Sequence, residues 1–306
     1  MAKARRHVSG VLLLDKPAGL SSNTALGRVR WLYQAEKAGH TGTLDPFATG
    51  LLPICLGEAS KFARFMLDAE KGYLATLKLG ERTPTGDTET AVSERREVEV
   101  DEKIISTVLA RFKGAQTQIP PMHSALKQEG VRLYELARKG LTVDRPARDI
   151  HVGRLDFVSL KANELTLDAH VSKGTYMRVL AEDVGEALGC GAHLIALRRT
   201  RTGGFGIEQA VTLDALEAMS MEERDRQLRP ADVLCNALPV VTLDRIDTRI
   251  FTHGGWVEHE LIPGAEYRVF ASTGNFLGVG VAVADGARSK LQPVRLVDLN
   301  KLPGAA

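Results

Sequence analysis

Gly39-His40-Thr41-Gly42-Thr43-Leu44-Asp45-Pro46-Phe47-Ala48-Thr49-Gly50 mixes glycines, threonines and a proline with neither a helical nor a strand period, so it reads as a loop. Its single carboxylate is Asp45. Pro46 fixes the chain directly after it and biases Asp45 itself toward an extended backbone, so the side chain projects from a stiff support. Residue types alone leave two readings open here, a turn built on Asp-Pro or a carboxylate presented for chemistry.

Outward from this loop the pattern becomes regular. Residues 11–15 read as a short buried strand, closed by the turn Lys16-Pro17-Ala18-Gly19, whose lysine stem can pack. Ser21 or Ser22 can cap a helix with Ala25, Leu26, Val29, Leu32 and Tyr33 on its inner face. A second helix is predicted over 58–67, with Phe62, Phe65 and Met66 inward. Tyr73, Ala75, Leu77 and Leu79 alternate along a strand. Ile104, Ile105, Val108, Leu109 and Phe112 mark a helix begun near Asp101 and stopped by Gly114. Residues 155–158 and 165–171 read as paired strands, and Ser172-Lys173-Gly174-Thr175 turns into a helix that Gly189 ends. Beyond Pro239, three short strands alternate with glycine-rich turns.

The net charge is only +2, so bulk charge does not announce a polyanion partner. Its distribution is more informative. Six basic residues (Lys127, Arg132, Arg138, Lys139, Arg145, Arg148) face three acidic ones between 127 and 148. Arg198, Arg199 and Arg201 form a second cluster. Patches of this kind on a near-neutral chain suit a polyanion held along one face, or are solvated surface charge. Three widely spaced cysteines, with no Cys-x-x-Cys pair, argue against a disulfide framework or a zinc site and fit a reducing cytoplasm. No apolar run is long enough to span a membrane. The basic residues at the start are followed by an apolar run that Asp15 and Lys16 interrupt, which does not read as a secretory signal.

The 39–50 loop resembles the catalytic-loop motif of the TruB pseudouridine synthases, which convert uridine 55 in the T loop of tRNA to pseudouridine. Four further blocks carry the same resemblance, in order and in register. They are Gly10-Val-Leu-Leu-Leu-Asp-Lys-Pro17, Lys71-Gly-Tyr73, Ser172-Lys-Gly-Thr-Tyr176-Met-Arg178 and Gly189-Cys-Gly-Ala-His-Leu194. The similarity spans about residues 8–215. It implies an α+β fold, with a mixed central sheet of the pseudouridine-synthase type and a helical or loop insertion near 122–148. Residues 1–235 would form the catalytic domain and 238–306 a small β-rich, PUA-like RNA-binding domain.

The resemblance also implies roles. Asp45 aligns with the essential aspartate. Arg178 aligns with the arginine that pairs with it, and Tyr73 with the tyrosine that packs on the target base. His40 aligns with the histidine that fills the space left by the flipped nucleotide, and Leu197 with a leucine lining the uracil pocket. Tyr176 belongs to the same block as Arg178. Asp87, in Arg82-Thr-Pro-Thr-Gly-Asp87, lies in a segment that approaches the site. Arg132, Arg138, Lys139, Arg145 and Arg148 are expected to contact RNA phosphates. The implied partner is the tRNA T stem-loop, bound by a cytoplasmic monomer with no obligatory protein partner, no membrane attachment, no metal and no cofactor.

Such a site makes chemical sense. The isomerisation breaks a C–N bond, turns the uracil and forms a C–C bond, without redox change. A carboxylate can act in it as nucleophile or base. A rival reading is a tRNA-binding folding chaperone without chemistry. A guide-RNA-dependent relative and a metal hydrolase using His40 and Asp45 are weaker; the loop holds no further ligand at metal spacing.

Overall fold

The computed structural model describes residues 5–124, 126–128, 130–286 and 288–299. In chain order the principal elements are β1 (Gly10–Lys16), α1 (Ser22–Leu32), β2 (Ala38–His40), β3 (Thr49–Leu56), β4 (Lys71–Leu79), α2 (Glu102–Arg111), β5 (Gly114–Gln118), β6 (Arg148–Lys161), β7 (Glu164–Val171), α3 (Met177–Ala187), β8 (Ala192–Thr202), β9 (Val211–Thr212), β10 (Val240–Leu243), α4 (Arg245–Thr252), β11 (Val257–Glu258), β12 (Glu266–Ala271), β13 (Phe276–Asp285) and β14 (Arg288–Leu296). The chain is α+β and divides into two compact units. One holds residues up to 44, 52–67 and 208 onward; the other holds 45–51 and 68–207.

The second unit is built on the sheet order β8-β4-β7-β6-β5, each pair antiparallel. The start of β3 joins β8 in parallel, Thr49 opposite Arg198 and Gly50 opposite Arg199, so the sheet is mixed. Alternation fixes which side is apolar. Tyr73, Ala75 and Leu77 pair with Ala169, Leu167 and Leu165 across the β4–β7 ladder, and all six are buried. Helices α2 and α3 touch each other; α2 packs on β6, and α3 on β8 and β4. Asp101 caps α2 by accepting the Ile104 N–H at 2.8 Å. Gly185 lets α3 approach β8 closely, since a β-carbon there would lie 2.3 Å from the Ala192 nitrogen.

Among the described residues the first unit shows two cores. One joins Leu12 and Leu14 of β1, Ala25 and Val29 of α1, and Leu52, Ile54 and Leu56 of β3. The other belongs to a five-stranded sheet of order β10-β12-β13-β14-β11, where Leu243, Val269, Leu277 and Leu291 from four of the strands close around Phe251 of α4. Within this unit Phe62 packs on Phe276 (centroids 5.1 Å apart), and Lys61 Nζ donates to the Leu296 carbonyl at 3.0 Å. Among the described residues no helix is long and apolar enough to cross a membrane. Cys55, Cys190 and Cys235 are buried free thiols.

Several local expectations change. The helix predicted over 58–67 is a 3-10 turn, Gly57–Phe62, followed by the single α-turn Arg64–Leu67. Phe62 and Met66 are buried, whereas Phe65 is only half-buried and carries the Arg64 guanidinium over its ring at 4.5 Å. The run Arg198, Arg199, Arg201 is not one surface cluster. Arg199 points inward on the same face as Leu197 and is almost completely buried, and a register shift between Arg199 and Arg201 breaks the alternation that would have carried Arg201 in as well. Helix α4 has no counterpart in the sequence reading; it is eight residues long, with Phe251 buried while Ile246 and Ile250 are exposed.

Candidate active site

Asp45 opens a turn in which the Ala48 N–H donates to the Asp45 carbonyl at 3.1 Å. The residue before it, Leu44, is held at both ends of its backbone by one side chain. The Leu44 N–H donates to Ser22 Oγ at 2.7 Å, and Ser22 Oγ donates to the Leu44 carbonyl at 3.0 Å. Where the segment leaves the turn, Gly50 lies so close to β8 that a β-carbon would sit 2.3 Å from the Arg199 carbonyl oxygen, and its φ of +104° also favours glycine. Arg199 Nε donates to the Leu51 carbonyl at 2.7 Å, so its buried charge fastens the exit of the loop.

Arg178, in the first turn of α3, meets Asp45. Its Nε lies 3.0 Å from Asp45 Oδ2; its side chain is 5% exposed and that of Asp45 is 35% exposed. The rest of the guanidinium is also engaged. Nη1 donates to the Thr85 carbonyl at 3.1 Å and lies 3.5 Å from Asp87 Oδ2, and Nη2 donates to the His123 carbonyl at 2.7 Å. Asp87 is 1% exposed. Its Oδ1 accepts from the Thr85 hydroxyl at 2.6 Å and the Glu89 N–H at 2.9 Å. A planar fork with fixed N–H directions, held by buried oxygens on several sides, can present only one edge to Asp45. The partly exposed carboxylate is thus the open end of an otherwise closed network. Nearby, burial pushes the Glu182 carboxyl above its ordinary value, with Arg82 opposing.

Tyr73 and Leu197, both buried, come from adjacent strands: Tyr73 lies opposite Arg199, and Leu197 opposite Ala75. Lys71, on the same face of β4 as Tyr73, has its ammonium pushed down to about 8, first by burial and then by the charge of Arg199. Tyr176 is half-buried, and burial raises its phenol above the ordinary value while the charges of Arg148 and Arg178 pull it down. His40 belongs to the other unit, at the end of β2, where its Nδ1 accepts the Gly42 N–H at 3.4 Å.

Of the basic residues in and beside the insertion, Lys139 and Arg148 are exposed. Arg145 is only half-exposed, and its Nη1 donates to the Pro120 carbonyl at 3.0 Å. Arg148 begins β6, opposite Gln118, and so belongs to the sheet. The side chains of Arg132 and Arg138 lie outside the described residues. Sequence reasoning missed Thr85 and the His123 carbonyl as partners of Arg178. Thr85 stands two residues before Asp87, so that segment held a signal; a backbone carbonyl leaves none. Among the described residues no group of three or more His, Cys, Asp or Glu side chains is placed to hold a metal ion.

Comparison with known proteins completes the picture. Residues 30–177 match the TruB family pseudouridylate synthase N-terminal domain. Residues 178–236 match the tRNA pseudouridylate synthase B C-terminal domain, and 239–297 the C-terminal domain of pseudouridine synthase II TruB. A tRNA pseudouridine synthase B of Burkholderia mallei (strain NCTC 10247) is 50% identical over 301 residues, covering 96% of this chain and 98% of the relative. One from Haemophilus influenzae (strain 86-028NP) is 48% identical over 301 residues, covering 96% of this chain and 97% of the relative. Among solved structures, a Cbf5-Nop10-Gar1 complex contains a chain of similar fold, with a TM-score of 0.72 and 26% identity over 93% of this chain and 83% of that one. The chain belongs to the TruB family of pseudouridylate synthases.

Proposed function

We propose that this chain converts uridine 55 in the T loop of tRNA to pseudouridine, with Asp45 as the catalytic carboxylate. The observation that carries the proposal is the contact of Arg178 Nε with Asp45 Oδ2 at 3.0 Å, made by a guanidinium whose other nitrogens already face protein oxygens. A cation so placed favours the carboxylate anion that attack or proton abstraction requires. Partial exposure leaves Asp45 able to meet a substrate. The target uridine is stacked inside a folded loop, so it must be extruded before its glycosidic bond can be reached. Tyr73 and Leu197 supply aromatic and apolar surface against which a flipped base can rest. His40 is assigned to the space the base vacates.

The test is tritium release from C5-labelled uridine in a T stem-loop RNA, run with excess EDTA and no nucleotide. Release at the untreated rate supports a reaction that uses neither metal nor cofactor. RNA bound and refolded without release would instead support the folding-chaperone reading. The sequence resemblance and the relatives' names favour tRNA as substrate, and the reading is of a cytoplasmic monomer acting without a protein partner.

The insertion is assigned the grip on the T stem. Among the described residues Lys139 in the insertion and Arg148 beside it are exposed cations, with Arg132 and Arg138 as further candidates and Arg145 a weaker one because it already serves Pro120. Reversing the charge of Lys139, Arg138 and Arg148 together is expected to weaken RNA binding. The salt dependence of log K should become shallower by roughly 0.7–0.9 for each phosphate no longer neutralised. Filter binding across a salt series measures both; an unchanged slope with unchanged affinity places the grip elsewhere.

A further inference from the structure

The start of α3 is an unfavourable place to begin a helix. Tyr176 stands at its N-cap with no side-chain cap, no acidic residue occupies the first turn, and the first turn instead carries Arg178. A cation there opposes the helix dipole, and the first N–H groups need partners from elsewhere. One partner comes from 58 residues away: Gln118 Oε1 accepts the Tyr176 N–H at 2.8 Å, and Gln118 Nε2 donates to the Tyr176 carbonyl at 3.1 Å. This pairing leaves one sensible orientation for the amide and pins the peptides on both sides of Tyr176. Gln118 is 5% exposed and ends β5, so its own position is fixed by pairing with Arg148 on β6. Five residues further along, the His123 carbonyl receives Arg178 Nη2. One short stretch thus holds both the backbone from which Arg178 projects and the far side of its guanidinium.

We propose that Gln118 is a positioning residue for the reaction, setting Tyr176 and, through the first turn of α3, the edge that Arg178 presents to Asp45. The proposal rests on the function assigned above. Gln118 touches none of the reacting groups; it acts through the backbone at Tyr176. A displacement on the order of 1 Å at a group that orients the catalytic carboxylate can lower a rate by about 100-fold.

The test replaces Gln118 with Met, which keeps length and removes both bonds, and with Glu, which keeps the acceptor and removes the donor. Single-turnover pseudouridine formation at saturating T stem-loop RNA should fall about 10- to 100-fold in Gln118→Met, with a smaller fall in Gln118→Glu, while RNA affinity changes less than about threefold. Amide exchange should quicken at Tyr176 in Gln118→Met, a readout independent of activity. Ile150→Val, a core change on β6, serves as a stability control and should keep the wild-type rate per folded molecule. With Arg178→Lys, Gln118→Met should be less than additive, as groups acting through one geometry are. A wild-type rate in Gln118→Met, or a loss no larger than that of an equally destabilised control, overturns the proposal. Should Gln118→Met fail to fold, a wild-type rate in Gln118→Glu with slowed or unchanged exchange at Tyr176 also overturns it. If the wild-type protein makes no pseudouridine, the functional reading fails instead, and the exchange experiment still reports whether Gln118 holds Tyr176.

Discussion

Asp45→Asn is expected to bind T stem-loop RNA and to convert none of it at a measurable rate. The amide matches the carboxylate in size, and its oxygen can still accept from Arg178 Nε, so the loop should keep its place. What disappears is the anion. An amide neither attacks carbon nor takes a proton at neutral pH, and loss of a group that does so lowers a rate by about 10²- to 10⁴-fold or more. RNA affinity should stay within a few-fold, because the proposed binding surface is elsewhere. Single-turnover conversion beside filter binding separates the two quantities. Substantial turnover by the variant, checked for deamidation and for contaminating wild-type enzyme, would remove the basis of the assignment.

Arg178→Lys is expected to damage both rate and stability. An ammonium keeps the charge but cannot reach Asp45, the Thr85 carbonyl, the His123 carbonyl and Asp87 at once in the directions that the planar fork provides. Asp87 would keep the bonds from Thr85 and Glu89 while its second oxygen lost its nearest cation. Leaving buried acceptors without donors costs about 1–3 kcal/mol each, so the urea midpoint should fall. The single-turnover rate should drop about 100-fold as Asp45 loses a fixed partner. Combined with Asp45→Asn, the substitution should slow conversion no further, because both act on one unit. A double mutant much slower than Asp45→Asn would mean that Arg178 also acts apart from Asp45.

Much of the second unit's sheet was legible because alternation is a local signal. Tyr73, Ala75, Leu77 and Leu79 announced β4, and all four are buried. The partnership of Asp45 with Arg178 was legible only through family resemblance. The two are far apart in sequence, and an arginine in the first turn of a helix ordinarily reads as surface. Arg199 shows the same limit: charge counting placed it with its exposed neighbour Arg201, while a register shift between the two leaves Arg201 outside and Arg199 inside, on the Leu51 carbonyl. Gln118 gave no signal at all. It ends the short, mostly polar strand Gly114–Gln118, and its role exists only through Tyr176 on a distant helix. Pattern reading finds groups that repeat, whereas the polar network here is assembled from single residues brought together by the sheet.

The two ends of the segment 45–50 should behave differently in a mutational library. Position 50 admits glycine because any β-carbon would meet the backbone of Arg199, so selection for folded protein alone exhausts its alphabet. Position 45 is partly open to solvent, and side chains that still accept from Arg178, such as asparagine, are expected to be compatible with folding there. A screen for abundance would therefore be sharp at 50 and blunter at 45, and a screen for pseudouridine would be sharp at both. The difference between the two maps, residue by residue along 45–51, separates the information that the loop carries about its shape from the information it carries about its chemistry.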